Sequence, residues 1–358
     1  MTVKYLGNKA SQSRFIVAKI RQQIGSEGSL VGDLFSGTGA VAAQLKKNGF
    51  RVHANDHLKQ CELRAKAILL LSHPPPFRDL EDLMRLEGKQ DTITDSTYHR
   101  VLSYLNRLEG EEGFFFREYC PEGSQQYTQW ERKYFTKDNA KSIDAIRAKI
   151  AEWKSDGSIT DLEHSLLLVD LIEAVNDVAN ISGTYGCFLK EFESNAVKPL
   201  HMLPFNFISG SCNHLVTMED VFETSKDTPS NMVYLDPPFT KRQYVTYYHI
   251  PETIALEDEP QVLGKTGIRP WERKASDFCY KSRALLALKR LLESLRPRDI
   301  YLSYSSDGHI WKQDVLRLVE EFGEVRVFEY GQKRFKSGMR TANGSDLREY
   351  LFCLEGGT

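Results

Sequence analysis

The sequence predicts an α/β fold in which both ends of the chain contribute to one sheet of about seven strands. Strand and helix patterns alternate over residues 29–56 and again over residues 214–354. Between these regions the spacing of apolar residues is mainly helical, which indicates an insertion. We therefore predict a sheet domain at residues 1–73 and 208–358, and a mainly helical insertion at residues 74–207.

The stretch on which this interpretation depends is Val233-Tyr-Leu-Asp-Pro-Pro-Phe239. Its apolar residues favour a buried strand, and the two prolines end that strand because proline donates no hydrogen bond and fixes φ at about −65°. Asp236 is thereby expected at the carboxyl end of a strand, where open α/β sheets bind their ligands.

The N-terminal region predicts a nucleotide site. An amphipathic helix is expected up to Gly25, followed by a strand at residues 29–35, a turn at Ser36-Gly-Thr-Gly39, a helix, and a second strand that ends at Asp56. Glycines allow close approach of a ligand to the backbone, and an acid after the second strand can hold ribose hydroxyls. The same pattern satisfies G-x-G-x-x-A, so a nicotinamide dehydrogenase stays open here. Two further alternatives also stay open: the turn could hold no ligand, and Asp56 could serve as a helix cap.

Within the insertion, helices are expected at four segments, and the stretches 109–117 and 125–134 are expected to be loops. Thr160 and Glu163 form a capping-box pattern. The run Phe114–Phe116 is compatible with core packing or with an exposed aromatic loop. The helices are predicted at residues 79–86, 95–108, 140–153 and 160–180.

Composition gives little overall indication of a partner, since the net charge is −2 and the pI is near 6.5. No apolar run suits a membrane span, the start of the chain is not signal-like, and the six cysteines form no zinc or disulfide pattern, so we expect a cytoplasmic protein without a metal. Local charge differs: basic residues crowd residues 132–154, 265–298 and 333–348. Aromatic residues lie among them, which favours a nucleic-acid surface. They are Trp130, Tyr134, Phe135, Trp271, Phe278, Tyr280 and Phe335.

Three motifs occur in a characteristic order: Tyr5-Leu-Gly-Asn-Lys9, Asp33-Leu-Phe-Ser-Gly-Thr-Gly39 and Asp236-Pro237-Pro238-Phe239. With them, the sequence resembles the Dam-like, alpha-class DNA adenine-N6 methyltransferases of restriction–modification systems. Shorter similarities extend the resemblance over nearly the whole chain. They are Arg132–Thr136, Gly183–Gly186, Arg242–Tyr244 with Tyr248-His249, and Tyr304–Ser306.

The resemblance implies a Rossmann-like S-adenosylmethionine-dependent methyltransferase sheet, with target recognition in the insertion. It implies a set of cofactor residues, in which Asp56 binds the ribose and Asp220 the adenine end. These are Tyr5, Gly7, Lys9, Asp33, Phe35, Ser36, Gly37, Thr38, Gly39, Asp56, Asp220 and Asp236. The resemblance further implies that the catalytic residues are Asp236, Pro237, Pro238 and Phe239, and the family's commonest motif has Tyr in place of Phe239. The residues expected to contact DNA are Arg242, Tyr244, Lys333, Arg334 and Lys336.

The function expected from the resemblance is methylation of adenine in double-stranded DNA, with the target base flipped out of the helix. The alternatives are amino-methylation of cytosine-N4, RNA or protein glutamine, and a non-catalytic DNA-binding module of a defence system. Ser or Asn would be the commoner residue at position 236 in the other amino-methyltransferases, and a dehydrogenase gives no reason for the Asp236 motif. A cognate restriction endonuclease acting separately, a monomer or dimer, and the recognised sequence are left open.

Overall fold

The computed structural model describes residues 9–25, 28–87, 96–211, 213–296, 298–332 and 347–356. These residues form seven strands in a single sheet. In chain order the strands are β1 (Leu30–Asp33), β2 (Arg51–Asn55), β3 (Leu215–Thr217), β4 (Met232–Leu235), β5 (Asp299–Ser305), β6 (Val325–Gln332) and β7 (Leu347–Leu354). The α/β class and the number of strands expected from the sequence are confirmed.

The spatial order of the strands is β3-β2-β1-β4-β5-β7-β6. The first five are parallel, whereas β7 is antiparallel to both β5 and β6. From β1 the chain proceeds outward through β2 and β3, then returns to place β4 on the other side of β1. The direction of winding therefore changes between β1 and β4, the point at which open α/β sheets form ligand crevices.

The helices occupy the connections between strands and a long stretch after β2. They are α1 (Ser13–Ile24), α2 (Ala40–Lys47), α3 (Lys59–Leu70), α4 (Glu81–Glu87), α5 (Thr97–Leu105), α6 (Phe114–Tyr119), α7 (Pro121–Tyr127), α8 (Lys137–Ser155), α9 (Asp161–Val178), α10 (Val221–Asp227), α11 (Tyr244–Tyr247), α12 (His249–Leu256), α13 (Ala284–Ser294) and α14 (Lys312–Glu320). Short 3₁₀ turns lie at Arg78–Leu80, Glu272–Lys274 and Asp277–Cys279.

The chain divides into two compact units. The sheet unit comprises the described parts of Gly7–Ala65, Gly210–Val245 and Glu272–Thr358, and the helical unit comprises those of Lys66–Ser209 and Thr246–Trp271. Residues 246–271 therefore fold with the helical residues, although the boundaries expected from the sequence placed them in the sheet domain. The reason is local packing, since α12 packs against α9.

The sheet unit buries its central strand completely. All four residues of β4 are inaccessible to solvent or nearly so, because parallel strands lie on either side and helices cover the sheet. One core cluster joins β4 and β5 to the apolar faces of α13 and α14, including Leu288, Leu291 and Val315. This packing fixes the strand that ends at Asp236.

The helical unit corrects the expectation that 109–117 and 125–134 are loops. The segment Phe114–Tyr119 is helical because the Asp144 carboxylate accepts the N–H groups of Gly113, Phe115 and Phe116, at 2.8–3.1 Å. A proline at the first position then starts α7, which extends to Tyr127. All three phenylalanines at 114–116 are buried, so the run packs in the core.

The capping box at the start of α9 is confirmed. The Thr160 side chain accepts from the Glu163 N–H at 3.3 Å, and the Glu163 carboxylate accepts from the Thr160 N–H at 2.9 Å. Among the described residues, none of the helices combines the length and apolar character that crossing a bilayer requires.

The interpretation of the interleaved aromatic and basic residues as a surface was wrong for several of them. Tyr134, Phe135 and Phe278 are at most 1% exposed and pack in the interior. The Arg132 side chain is 2% exposed, because its guanidinium pairs with Glu118 at 2.5 Å and donates to backbone carbonyls of residues 264 and 265. These residues stabilise the core and are not available to nucleic acid.

Candidate functional site

The turn after β1 is shaped by two glycines. Gly37 and Gly39 have φ values of 49° and 72°, a region that residues with a Cβ rarely adopt, and α2 begins directly after them. Gly39 is the N-cap of α2 and supplies no side-chain cap, so ligand atoms can approach the first turn of this helix. The predicted glycine turn between strand and helix is confirmed.

Asp56 joins this turn to the end of β2. Its Oδ2 accepts the Gly37 N–H at 2.8 Å, and its Oδ1 accepts the Leu58 N–H at 3.0 Å. Burial raises the pKa of Asp56, and these two N–H groups oppose the rise. The carboxylate thus fixes the glycine turn and also caps the turn before α3, in agreement with the capping role considered from the sequence, while ribose binding stays a prediction.

Asn55 was not identified from the sequence, although it ties three strand ends together. It is 1% exposed, its Oδ1 accepts from Thr217 Oγ1 at 2.8 Å and the Glu219 N–H at 3.1 Å, and its Nδ2 donates to the carbonyls of Glu219 and Leu34. A polar residue at the end of an apolar strand, directly before an acid, was the available signal. Its hydrogen bonds hold together the strand ends from which Asp56 and the glycine turn continue.

Asp33 lies at the end of β1 and is 1% exposed. Burial raises its pKa to about 8, and the negative charges of Asp236 and Asp56 add to this rise, while the Ala42 backbone opposes it. Beyond the approach of the Ala42 backbone, neither carboxylate oxygen of Asp33 has a hydrogen-bond partner at ordinary distance and angle within the described residues, and Ser36 Oγ also has none. Buried polar atoms in this state indicate a place for a polar ligand.

Asp236 follows the last residue of β4. Pro237 and Pro238 come next, and tight turns follow, since the Phe239 N–H donates to the Pro237 carbonyl at 2.9 Å and the Thr240 N–H to the Pro238 carbonyl at 2.7 Å. Burial raises the pKa of Asp236 to about 6, the Lys9 ammonium opposes the rise, and Glu349 adds to it. The acid is therefore held rigidly and is largely ionised near neutral pH.

The register of the sheet brings the two motifs together. Asp33 is paired with Tyr234, two residues before Asp236, and with Ala54, two residues before Asp56. Three acids consequently leave the same edge of three adjacent strands. The strand order therefore brings the glycine turn and the Asp236 stretch to the same edge of the sheet, as expected from the sequence.

The aromatic residues near this edge are closely packed. The Phe239 ring is 6% exposed and contacts Phe278 and Tyr304 edge to face, with centroids 5.8 and 5.1 Å away. Phe35 also contacts Phe278, at 5.5 Å. Phe239 thus sits in an aromatic cluster that fixes the position of its ring.

The remaining predicted residues occupy varied positions. Asp220 caps α10, accepting the Phe222 N–H at 2.9 Å. Arg242 is exposed and Tyr244, partly buried, begins α11. Lys9 contacts the carboxylates of Asp236 and Glu349. Tyr5, Gly7, Lys333, Arg334 and Lys336 lie outside the described residues.

Comparison with known proteins gives a consistent result. The sequence profile for D12 class N6 adenine-specific DNA methyltransferases matches residues 5–315. The chain is 32% identical over 358 residues to the type II methyltransferase M.NlaIII of Neisseria lactamica, covering 99% of both chains. It is 29% identical over 356 residues to M.CviAII of Paramecium bursaria Chlorella virus 1, covering 98% of both.

A third relative is longer. Identity to the type II methyltransferase M.FokI of Planomicrobium okeanokoites is 32% over 359 residues, which is 99% of this chain and 52% of that protein. The chain thus spans about half the length of M.FokI and nearly all of M.NlaIII. With a family profile that matches most of the sequence and a full-length relative above 30% identity, the chain belongs to the D12 class of N6 adenine-specific DNA methyltransferases.

Proposed function

We propose that this protein transfers a methyl group from S-adenosylmethionine to the exocyclic amine of a flipped adenine at a specific site in duplex DNA. The observation that carries the proposal is the placement of Asp236, fixed by two prolines at the end of β4, beside the glycine turn of β1. A donor site and an acceptor for the substrate amine then lie on adjacent strands.

The residues of the β1 turn fit S-adenosylmethionine. Gly37 and Gly39 leave the backbone open to a ligand, and the unpartnered Asp33 and Ser36 oxygens supply buried polar contacts. Asp56 is expected to accept ribose hydroxyls through the lone pairs that its two backbone hydrogen bonds leave unused. When bound, the cofactor supplies an electrophilic methyl group.

Asp236 and Pro237 are expected to orient the substrate nitrogen. Conjugation with the ring makes the adenine amine a poor nucleophile, so the nitrogen must be drawn toward tetrahedral geometry before it can attack. The Asp236 carboxylate accepts one of its hydrogens. The Pro237 carbonyl accepts the other through its second lone pair, because the first is engaged by the Phe239 N–H.

Phe239 is expected to contact the face of the flipped base. Because its ring is packed against Phe278 and Tyr304, its position is fixed before DNA binds. Flipping a base costs a few kcal/mol, which stacking and phosphate contacts must offset. Arg242, exposed just beyond this stretch, is a candidate for a phosphate contact, with Tyr244 next to it.

Charge removal at Lys333, Arg334 and Lys336 is expected to weaken DNA binding and to flatten its dependence on salt concentration. An unchanged salt dependence would favour the alternative interpretation, in which these basic residues are solvated and do not contact DNA. We expect target recognition to reside in the helical insertion, and the enzyme to act in the cytoplasm, separately from any cognate restriction endonuclease.

The proposal is tested by expressing the protein in a host that lacks adenine methylation and sequencing the genome for modified bases. N6-methyladenine at one recurring sequence is the expected result, and Asp236→Ala is the matched control, in which the modification should disappear. Cytosine modified at N4, modification confined to RNA, or an unmodified genome despite soluble protein would contradict the assignment.

A further inference from the structure

A buried ion cluster joins Asp236 to two distant parts of the chain. The Lys9 Nζ is 2.9 Å from Glu349 Oε2 in β7 and 3.3 Å from Asp236 Oδ1. The side chains of Lys9 and Glu349 are 10% and 6% exposed, and that of Asp236 is 23% exposed. Charges buried to this extent are retained at a cost unless they are paired, so the arrangement calls for an explanation.

The cluster contains one positive and two negative groups. Burial opposes the charge of Lys9, but Asp236 and Glu349 outweigh it and raise the Lys9 pKa above its ordinary value, so the ammonium is retained. A lysine shared between two carboxylates neutralises each of them only in part. The shorter of its two contacts is to Glu349, which draws the ammonium toward β7 and away from Asp236.

We propose that Glu349 is a positioning residue for methyl transfer: it holds Lys9 so that the ammonium keeps Asp236 ionised through Oδ1 and leaves Oδ2 to accept from the substrate amine. The inference rests on the proposed function. If Glu349 were absent, Lys9 would be free to pair fully with Asp236 and compete with the amine. If Lys9 were absent, the carboxylates of Asp236 and Glu349 would lack their shared positive charge, and Asp236 would keep its proton up to a higher pH.

Other titratable groups face the same cluster. Burial raises the pKa of Tyr330 to about 12 and that of Tyr234 well above its ordinary value, so both stay neutral near neutral pH. Asp33 interacts with Asp236, and its own pKa is raised to about 8. Because Asp33 and both tyrosines are present in every variant proposed below, their contributions are shared, and differences between variants report on Lys9 and Glu349.

The test is the pH dependence of single-turnover methyl transfer to duplex DNA with saturating cofactor. In Lys9→Met the acid limb of the profile should move to higher pH, and in Glu349→Gln it should move to lower pH, by about one unit each, equivalent to a tenfold change in the protonation ratio. Glu349→Gln should also lower the maximal rate, because the released ammonium competes with the substrate. The double variant should return the limb toward its original position, since its net charge equals that of the unaltered cluster.

Lys312→Met is the matched control, because Lys312 lies over the ring of Tyr350, the neighbour of Glu349 in β7. The acid limb of its pH–rate profile should stay where it is in the unaltered protein. The positioning role would be overturned if the two single variants lost rate without a shift of the acid limb, or if both limbs shifted in the same direction.

Urea unfolding between pH 4 and pH 8 reports the same ionisation without turnover. Lys9→Met should destabilise the protein more at pH 8 than at pH 5, and this difference should become smaller when Asp236→Asn is added, leaving only the part that is due to Glu349. If the unaltered enzyme does not methylate DNA, the proposed function fails while the unfolding result still decides the electrostatic claim. If unfolding shows the shift but the rate profile does not, the positioning role is refuted on its own.

Discussion

Burial of Asp33 in the folded protein should make the free energy of unfolding depend on pH. Replacing Asp33 with asparagine should remove most of this pH dependence. Asp33 titrates at 3.8 when unperturbed and at about 8 in the folded protein. Between these values the unfolded state has released a proton that the folded state retains, so the free energy of unfolding falls as pH rises and levels off above pH 8. Asp33→Asn cannot release a proton and should lack this contribution.

The expected magnitude follows from the same values. One pKa unit corresponds to about 1.4 kcal/mol, and between pH 6 and pH 8 the Asp33 contribution amounts to a loss of about 2 kcal/mol. This interval lies mostly above the titration of Asp236, whose pKa is about 6, so the two acids can be separated. Free energies of unfolding measured with urea at several pH values, without cofactor, provide the assay.

The matched control is Asp227→Asn, which changes an exposed aspartate at the end of α10 in the same unit. Its stability curve should run parallel to that of the unaltered protein, whereas the curve for Asp33→Asn should be flatter above pH 6. Parallel curves for all three proteins would refute the reasoning, because they would mean that Asp33 ionises in the folded state as readily as in the unfolded chain.

Three further results are expected. Asp236→Ala should abolish methyl transfer while S-adenosylmethionine binding measured by calorimetry changes little, and a matching loss of both would show that Asp236 serves the cofactor instead. Arg132→Met should lower the free energy of unfolding in urea by about 3–5 kcal/mol, because it leaves the Glu118 carboxylate and three backbone carbonyls without their buried partner; a loss below about 1 kcal/mol would argue against that role. Arg242→Ala should reduce the slope of log Kd for duplex DNA against log salt concentration by about one, and an unaltered slope would exclude a phosphate contact.

Much of the sheet unit could be predicted because its signals are local. Apolar runs, the glycine turn and the prolines after Leu235 each specify structure within a few residues, and the strands were accordingly expected where they occur. The placement of β7 between β5 and β6 was not predicted, since the order of strands in a sheet depends on long-range pairing that no local pattern encodes.

The candidate site was predictable to the extent that its residues end strands. Asp33, Asp56 and Asp236 could each be located in this way. Asn55 and Glu349 could not, because their roles arise from hydrogen bonds and ion pairs to residues far away in the sequence. Arg132 and Tyr134 show the opposite error: a basic and aromatic composition indicates a surface, but buried partners such as Glu118 reverse that interpretation.

The position of β7 also determines when the site can form during synthesis. β6 pairs with β7, and β7 separates it from β5, so β6 cannot join the sheet until residues 347–354 have left the ribosome. At about 5–20 residues per second, tens of seconds pass between the emergence of β1 and that of β7. Of the three residues of the ion cluster, Glu349 is synthesised last, so Lys9 and Asp236 lack this partner until then. The nascent chain therefore acquires the complete cluster only after every other strand of the sheet has been made.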